Sequence, residues 1–479
     1  LNKFSLPEIT NSGWARVAHP DNVAQYSKEV VKITAAFLVL SFGLSTCPVA
    51  QAAEVFNVRT LGAKGDGITF DTVAIQKALD ACANSGGTVE FPTGTYLSKP
   101  LTVHSRTTVK LDAGATLQAS TNQADFMKIP GDWLKVRGGS DFMPFIGGER
   151  LTDVTFTGSG VIDGGGAVWW GEAEKARQIK SGYTLPRPNL IVIEQSKNLR
   201  FENITLQNSP KFHLVPSDCE DVIISNVTIL APERAANTDA IDPSGRRMLI
   251  TKCRIDVGDD NIAIKAGRKA PGHEFQSEDI TVTDCTFLHG HGMSIGSETS
   301  GGVRNVTVRN CTFENTENGL RIKSDVRRGG LVENISYSDI TMSNVAPAIT
   351  FTCFYMNNSS GDASRGSAAP ADSAFPGQNM PIYRNIRVSN LKATSLKSAG
   401  MILGMPQNCI SNVVFENVQI FAPKGLTIRN AKGVQFKNSK ISAVAGAPVI
   451  LENAEVKGLM EENRSDLNSS GVQLSKSLP

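Results

Sequence analysis

One short phrase recurs down the chain and limits what it can fold into. It stands as LRFENITL, VIISNVTI, MLITKCRI, ITVTDCTF, VTVRNCTF, ISYSDITM, IRVSNLKA, VVFENVQI and VQFKNSKI. The fifth residue of each is Asn203, Asn226, Lys252, Asp284, Asn310, Asp339, Asn390, Asn417 and Asn438, with steps of 23, 26, 32, 26, 29, 51, 27 and 21 residues. Apolar and polar residues alternate within each phrase, which is the period of a β-strand. Such strands are too short to bury a face alone, but stacked copies bury a continuous core and pair backbone groups from coil to coil. The expected fold is therefore all-β, a right-handed parallel β-helix of about ten coils. A leucine-rich repeat would want a dense leucine frame, and these coils carry Val, Ile and Thr instead.

Smaller features fit that frame. Cys253, Cys285 and Cys311 hold one place in successive coils and read as a stack of small buried residues rather than a metal ladder. Asn203 and Asn226 lie in N-x-T sequons, but their place in the repeat reads as a turn ladder. Solenoid ends need caps. Asp71 to Cys82 reads as a capping helix, with Asp71 at its N-cap, an apolar stripe of Ile75, Ala78, Leu79 and Cys82, and Gly86-Gly87 ending it. Gly62, Gly65 and Gly67 read as turns, since no GK[ST] follows to make a phosphate loop. The expected organisation is an N-terminal extension with export signal over 1–52, one β-helix domain over 53–460 and a tail over 461–479. Within the domain, residues 55–90 form the cap and 356–382 a Gly/Ser/Ala/Pro-rich loop insertion.

The export signal is read from the apolar run ITAAFLVLSFGLSTCPVA over residues 33–50, behind Lys28 and Lys32 and ending in Ala50-Gln51-Ala52, an A-x-A cleavage pattern. The stretch ahead of it is long for a signal, which points to Val31 as the initiator. A secreted or periplasmic monomer is expected, with no membrane attachment after cleavage. Of eight cysteines, seven follow the cleavage point, so at least one stays unpaired unless chains cross-link. No Cys/His metal spacing appears. A formal net charge of +2 does not suggest a nucleic-acid partner.

Four segments between the phrases carry charge: NTDAIDPSG, GDDNIAIKAG, GHGMSIGSE and NGLRIKSD. Aligned on their inward residues Ile264, Ile295 and Ile322, they put Lys265 and Lys323 in one register with Gly296 between, and Arg321 on the face of Lys323. Asp260 and His291 lie five residues earlier in adjacent coils, and Asp239 and Asp242 occupy the coil before. Asp239, Asp259, Asp260, His291, Lys265, Arg321 and Lys323 thus fall on one patch about four coils, or roughly 20 Å, tall. That set suits hydrolysis of an acidic sugar: one carboxyl donates a proton, another activates water, and cations hold the substrate's carboxylate. Crowded carboxylates separate their own pKa values and so supply both states. A solvated charge ladder or a calcium site are the other readings, and the neighbouring cations oppose calcium.

Together, Asn237-Thr238-Asp239, Gly258-Asp259-Asp260, Gly290-His291-Gly292 and Arg321-Ile322-Lys323 resemble the polygalacturonase family of glycoside hydrolases in order and spacing. The likeness extends to FNVRTLGAKGDG and GSGVIDGGGAVWW and covers residues 55–456. It implies inverting hydrolysis of the α-1,4-galacturonosidic bonds of polygalacturonate, with no metal or cofactor. It makes Asp259 the general acid and gives the water to Asp239 and Asp260, with His291 tuning the acid. Arg321 and Lys323 become binders of a galacturonate carboxylate, with Asn237, Lys265 and Tyr355 as further substrate contacts. Asn261 departs from the family, where many members carry Cys. Another pectic polymer (rhamnogalacturonan or xylogalacturonan), a calcium-dependent pectate lyase and a non-catalytic polysaccharide-binding solenoid are the alternatives. Endo or exo cleavage depends on loops such as 357–379.

Overall fold

The computed structural model describes residues 54–128, 142–179, 185–267, 272–325, 328–355, 380–407 and 409–459. All belong to one compact unit, Ala52–Pro479. The expected export signal, most of the 356–382 insertion and the 461–479 tail lie outside the described residues.

Every pairing between the strands is parallel and joins one coil to the next, as expected of a parallel β-helix. The period-2 pattern explains the packing. In the strand Val303–Glu314, Val303, Val306, Val308, Cys311 and Phe313 are buried while Arg304 and Thr307 are not. Parallel register then places like on like: Val306 sits between Ile280 and Ile335, and Phe313 between Phe287 and Met342. The rings of Phe287 and Phe313 are 4.7 Å apart at their centroids. Each fully buried side chain of this kind contributes about 1.5–3 kcal/mol, so the core is one apolar column rather than a set of patches.

The fifth residue of every phrase has a left-handed backbone, from Asn438 at φ 47° to Asn203 at φ 61°. Asn tolerates that conformation better than most residues because its amide bonds locally. Here the amides also bond between coils: Asn226 to Asn203 at 2.9 Å, Asn417 to Asn390 at 3.1 Å and Asn438 to Asn417 at 2.7 Å. The two sequon asparagines are therefore ladder members. A second ladder of left-handed residues starts each phrase, with Asn334 donating to Asn305 at 3.2 Å, Asn385 to Asn334 at 3.0 Å and Asn412 to Asn385 at 2.8 Å. Cys253, Cys285 and Cys311 are buried, and each thiol donates to the carbonyl two residues before it.

Three expectations need correction. Strands Val55–Asn57, Gly87–Phe91, Thr107–Leu111 and Thr152–Gly158 stack ahead of the first phrase, so the solenoid exceeds ten coils. The cap helix runs Thr72–Ser85 and buries the expected stripe, but the Asp71 carboxylate makes no cap bond. It accepts instead from the backbone N–H groups of Lys64 at 2.6 Å and Gly65 at 2.9 Å, fixing the preceding glycine turn. The insertion ends before its expected boundary, because Ile382 already opens the strand Ile382–Ser395.

One sheet carries the charged segments. The strand Leu214–Ser217 bridges through Ile241 to Ile262–Ile264, then pairs onward to Met293–Gly296, Leu320–Lys323 and Ile349–Thr352.

The ladder is testable in the folded state. Asn417→Ala removes two inter-coil bonds at about 0.5–1.5 kcal/mol each and strains a left-handed position by about 1–2 kcal/mol. Asn417→Gly keeps the backbone and loses only the bonds. Denaturant melts should rank wild type above Gly above Ala; equal stability of all three would remove the ladder's structural role.

Candidate active site

Counting back two residues from Ile241, Ile262 and Met293, which lie in one register, aligns Asp239, Asp260 and His291 in successive coils. Arg321 is beside Ser294, and Lys323 beside Gly296. His291 is flanked by glycines for a steric reason. A Cβ on Gly290 would come within 2.6 Å of the Asp259 carbonyl, and one on Gly292 within 2.1 Å of the Asn318 carbonyl. Asn261 pins the same turn: its amide donates to the His289 carbonyl at 2.8 Å and its Oδ1 accepts from Gly292 N at 2.8 Å.

Asp260 is the buried hub. Its Oδ1 accepts from Ser294 Oγ at 2.9 Å and from Arg321 Nη2 at 2.9 Å, and its Oδ2 from Lys323 Nζ at 2.6 Å. Burial works against its charge, but Arg321 and Lys323 outweigh burial and hold the carboxyl below its usual range. Arg321 and Lys323 were expected to grip a substrate carboxylate. In the structure both are buried and bound to the protein's own carboxylate, because a buried anion without counter-ions would be costly. The Tyr355 ring covers them, with its centroid 5.0 Å from Lys323 Nζ and 6.0 Å from the Arg321 guanidinium carbon.

Asp259 and His291 form the outer pair, 2.9 Å apart through Oδ1 and Nδ1. Their side chains keep 18% and 17% exposure against 2% for Asp260, so the cluster opens on their side. Asn237 donates to Asp259 Oδ2 from its backbone at 3.1 Å and from its amide at 3.3 Å. It was expected to touch substrate; here its backbone N–H and one amide bond hold Asp259. Its own Oδ1 accepts from the buried Arg187 at 2.9 Å, a residue the sequence motifs do not include. On the far side, His291 Nε2 meets Glu317 at 3.2 Å.

Asp239 and Asp242 are buried beside Lys265, which lies 3.8 and 3.5 Å from them and 3.9 Å from Glu298. One oxygen of each, Oδ1, has no hydrogen-bond partner among the described residues. Burial, then the charges of Asp259 and Asp242, push Asp239 well above the usual carboxylate range. Burial raises Asp242 to about 6 despite Lys265.

The protonation pattern differs from expectation. Crowding was expected to keep a proton on Asp259, but it acts on Asp239 instead. Burial would raise Asp259, yet the charge and hydrogen bond of His291, with Lys323 and Arg321 behind, hold it well below its usual range. Burial likewise opposes charge on His291, but Asp259 and then Glu317 raise it to about 10. Asp239 has no such partner, since its nearest cation is shared.

Oxygens of Asp259 and Asp260 and a nitrogen of His291 lie within 4.8 Å of one another, close enough in space for a metal. The donor set fits poorly. Both Asp260 oxygens are taken by cations, and His291 holds a proton where a metal would need a lone pair.

A model of glycosyl hydrolases family 28 matches residues 82–431. An endo-polygalacturonase of Pectobacterium carotovorum subsp. carotovorum is 40% identical over 299 residues, spanning 59% of this chain and 72% of that protein. A probable polygalacturonase of Vitis vinifera is 29% identical over 425 residues, 83% of either chain. Among solved structures, the polygalacturonase from Erwinia carotovora ssp. carotovora superposes with a TM-score of 0.64 at 31% identity, over 85% of this chain and 98% of that one.

The His291–Asp259 pair has a direct readout. A ring NMR titration should show His291 still charged at pH 8, and Asp259→Asn should lower its pKa. Because the folded value is raised above the unfolded value of about 6.5, the pair's stabilisation is full below that pH and lost as pH rises towards 10. A wild-type ring titrating near its ordinary value would contradict this electrostatic reading.

Proposed function

The chain belongs to glycosyl hydrolases family 28, and we propose that its acidic cluster performs the work of a polygalacturonase, hydrolysing the α-1,4-galacturonosidic bonds of pectate with inversion. The observation that carries the proposal is the Asp259–His291 contact at 2.9 Å, at the open side of a cluster in which cations hold both Asp260 oxygens and an Asp239 oxygen has no hydrogen-bond partner among the described residues.

Asp259 and His291 hold one transferable proton between them. With the proton on His291, the pair is an ion pair; moved to Asp259, it leaves a neutral imidazole and a carboxylic acid. The developing negative charge on the leaving oxygen draws that proton through Asp259 as the glycosidic C–O bond breaks. Water attacks the anomeric carbon from the opposite face and gives its proton to Asp239, which must be ionised at that moment. Asp260 can orient the water through Oδ2, which accepts only from Lys323, but it is a weak base because Arg321 and Lys323 hold its charge.

The raised Asp239 favours a second reading, in which Asp239 is the acid and Asp259 the base. The two differ in sign. In the first, activity falls as pH drops through the Asp239 pKa; in the second, it falls as pH rises through it.

Export is part of the proposal, because the substrate is an extracellular polymer and residues 33–52 carry an apolar run with an A-x-A end. Among the described residues, no helix is long and apolar enough to cross a membrane.

Asp259→Asn should cost about 10²–10⁴-fold in rate through loss of the donated proton. An aryl galacturonide, whose leaving group needs no protonation, should restore Asp259→Asn but not Asp239→Asn. The reverse pattern would support the swapped roles.

A further inference from the structure

Lys211 lies one coil ahead of Asp239, in the turn entering the strand Leu214–Ser217; two residues on, the His213 N–H donates to the Asp239 carbonyl at 2.9 Å. Its ammonium sits 4.4 Å from the centroid of the Phe212 ring, and Lys265 lies 5.8 Å from the same ring. The two cations differ in what surrounds them. Lys265 faces Asp239, Asp242 and Glu298. The Lys211 ammonium has neither a hydrogen bond nor a carboxylate in contact among the described residues. Burial and the Arg187 charge lower its pKa, and Asp239 and Asp242 compensate only in part. Arg187 offers no negative charge in return, since its guanidinium is bound to the carbonyls of Pro210 and Ala236 and to Asn237.

A half-buried cation on an aromatic face, without a counter-ion, costs stability. Such costs are tolerated where a ligand supplies the missing charge. Its place along the sheet says which ligand. The coil order is Lys211, Asp239, Asp259 with Asp260, His291, then Arg321 with Lys323. Lys211 is therefore about two coils, or roughly 10 Å, from the Asp259–Asp260 coil, on the side opposite Arg321 and Lys323. A polymer with a carboxylate on every sugar, laid along the stack past Asp259, brings one to the Lys211 ammonium.

We propose that Lys211 binds the carboxylate of a galacturonate residue on the side of the scissile bond away from Arg321 and Lys323, and so helps determine specificity for free rather than esterified pectate. The inference rests on the polygalacturonase reading. Lys265 holds the protein's own carboxylates beside it, whereas the Lys211 ammonium rests on the Phe212 ring.

The test compares wild type, Lys211→Met and Lys211→Arg on polygalacturonate and on pectins of graded methyl-esterification, with Tm measured for each. Lys211→Met should raise KM for polygalacturonate about tenfold, about 1.4 kcal/mol of binding, with a smaller change in kcat. Lys211→Arg should keep most of the affinity. The gap between wild type and Lys211→Met should close as esterification rises, and Tm should not fall, since the Met keeps the stem and removes an uncompensated charge. An unchanged KM, a loss that ignores esterification, or a loss accompanied by a lowered Tm would overturn the proposal while leaving the activity intact. A wild type that releases no reducing ends from polygalacturonate would overturn the activity itself and this inference with it.

Discussion

The site is organised by one buried carboxylate. Asp260 is held by Arg321 and Lys323, residues 61 and 63 positions away in sequence, and by Ser294. Nothing local in the chain could bring these groups together. They meet because Ile262 pairs with Met293, and Met293 with Leu320, so that the stack converts distance along the chain into a few ångströms across it. Leaving such a carboxylate buried after loss of a partner costs about 3–5 kcal/mol. The register of these coils and the charge of the site are therefore one constraint, seen once as backbone pairing and once as electrostatics.

The rest of the site takes its character from that hub. With Arg321 and Lys323 committed inward, their positive charge still reaches Asp259 and supports its ionised form beside His291. Asp239, one coil earlier, has only a shared Lys265, and burial with the neighbouring carboxylates raises its pKa well above the usual range. Two carboxyls a coil apart thus differ in charge for two reasons: Asp239 is the more buried, and only Asp259 has a close cationic partner in His291. The solenoid supplies the rigidity this needs: apolar residues stacked on like residues inside, and amide ladders along its turns.

Much of this was legible in the sequence, because the signals are periodic. The nine phrases marked strands, and the place of Asn203 and Asn226 in them marked a turn ladder, to which the structure adds the left-handed backbone. Three of the four charged segments could be set side by side by their inward isoleucines, Ile264, Ile295 and Ile322, which the structure pairs in that register. What stayed hidden had no period or no motif. The early strands GTVEF and TTVKL carry alternation but not the phrase, so those coils went unread. Asp71 has the right residue type for a helix cap, and only geometry shows that its carboxylate turns back to Lys64 and Gly65. Arg187 sits about 50 residues before Asn237 in sequence and shows its role only through a hydrogen bond. The identity of the proton-bearing carboxyl was the least legible feature, since it depends on which oxygen each cation reaches.

The central claim is a single displacement by water at the anomeric carbon, with the proton accepted on one side of the sugar and donated on the other. Proton NMR of polygalacturonate during the first turnovers tests it most directly, because the new reducing ends report their configuration before they mutarotate. The account predicts new ends in the β configuration, opposite to the α linkage cleaved. New ends that appear first as α, or an unsaturated product at the other side of the cut, would contradict it.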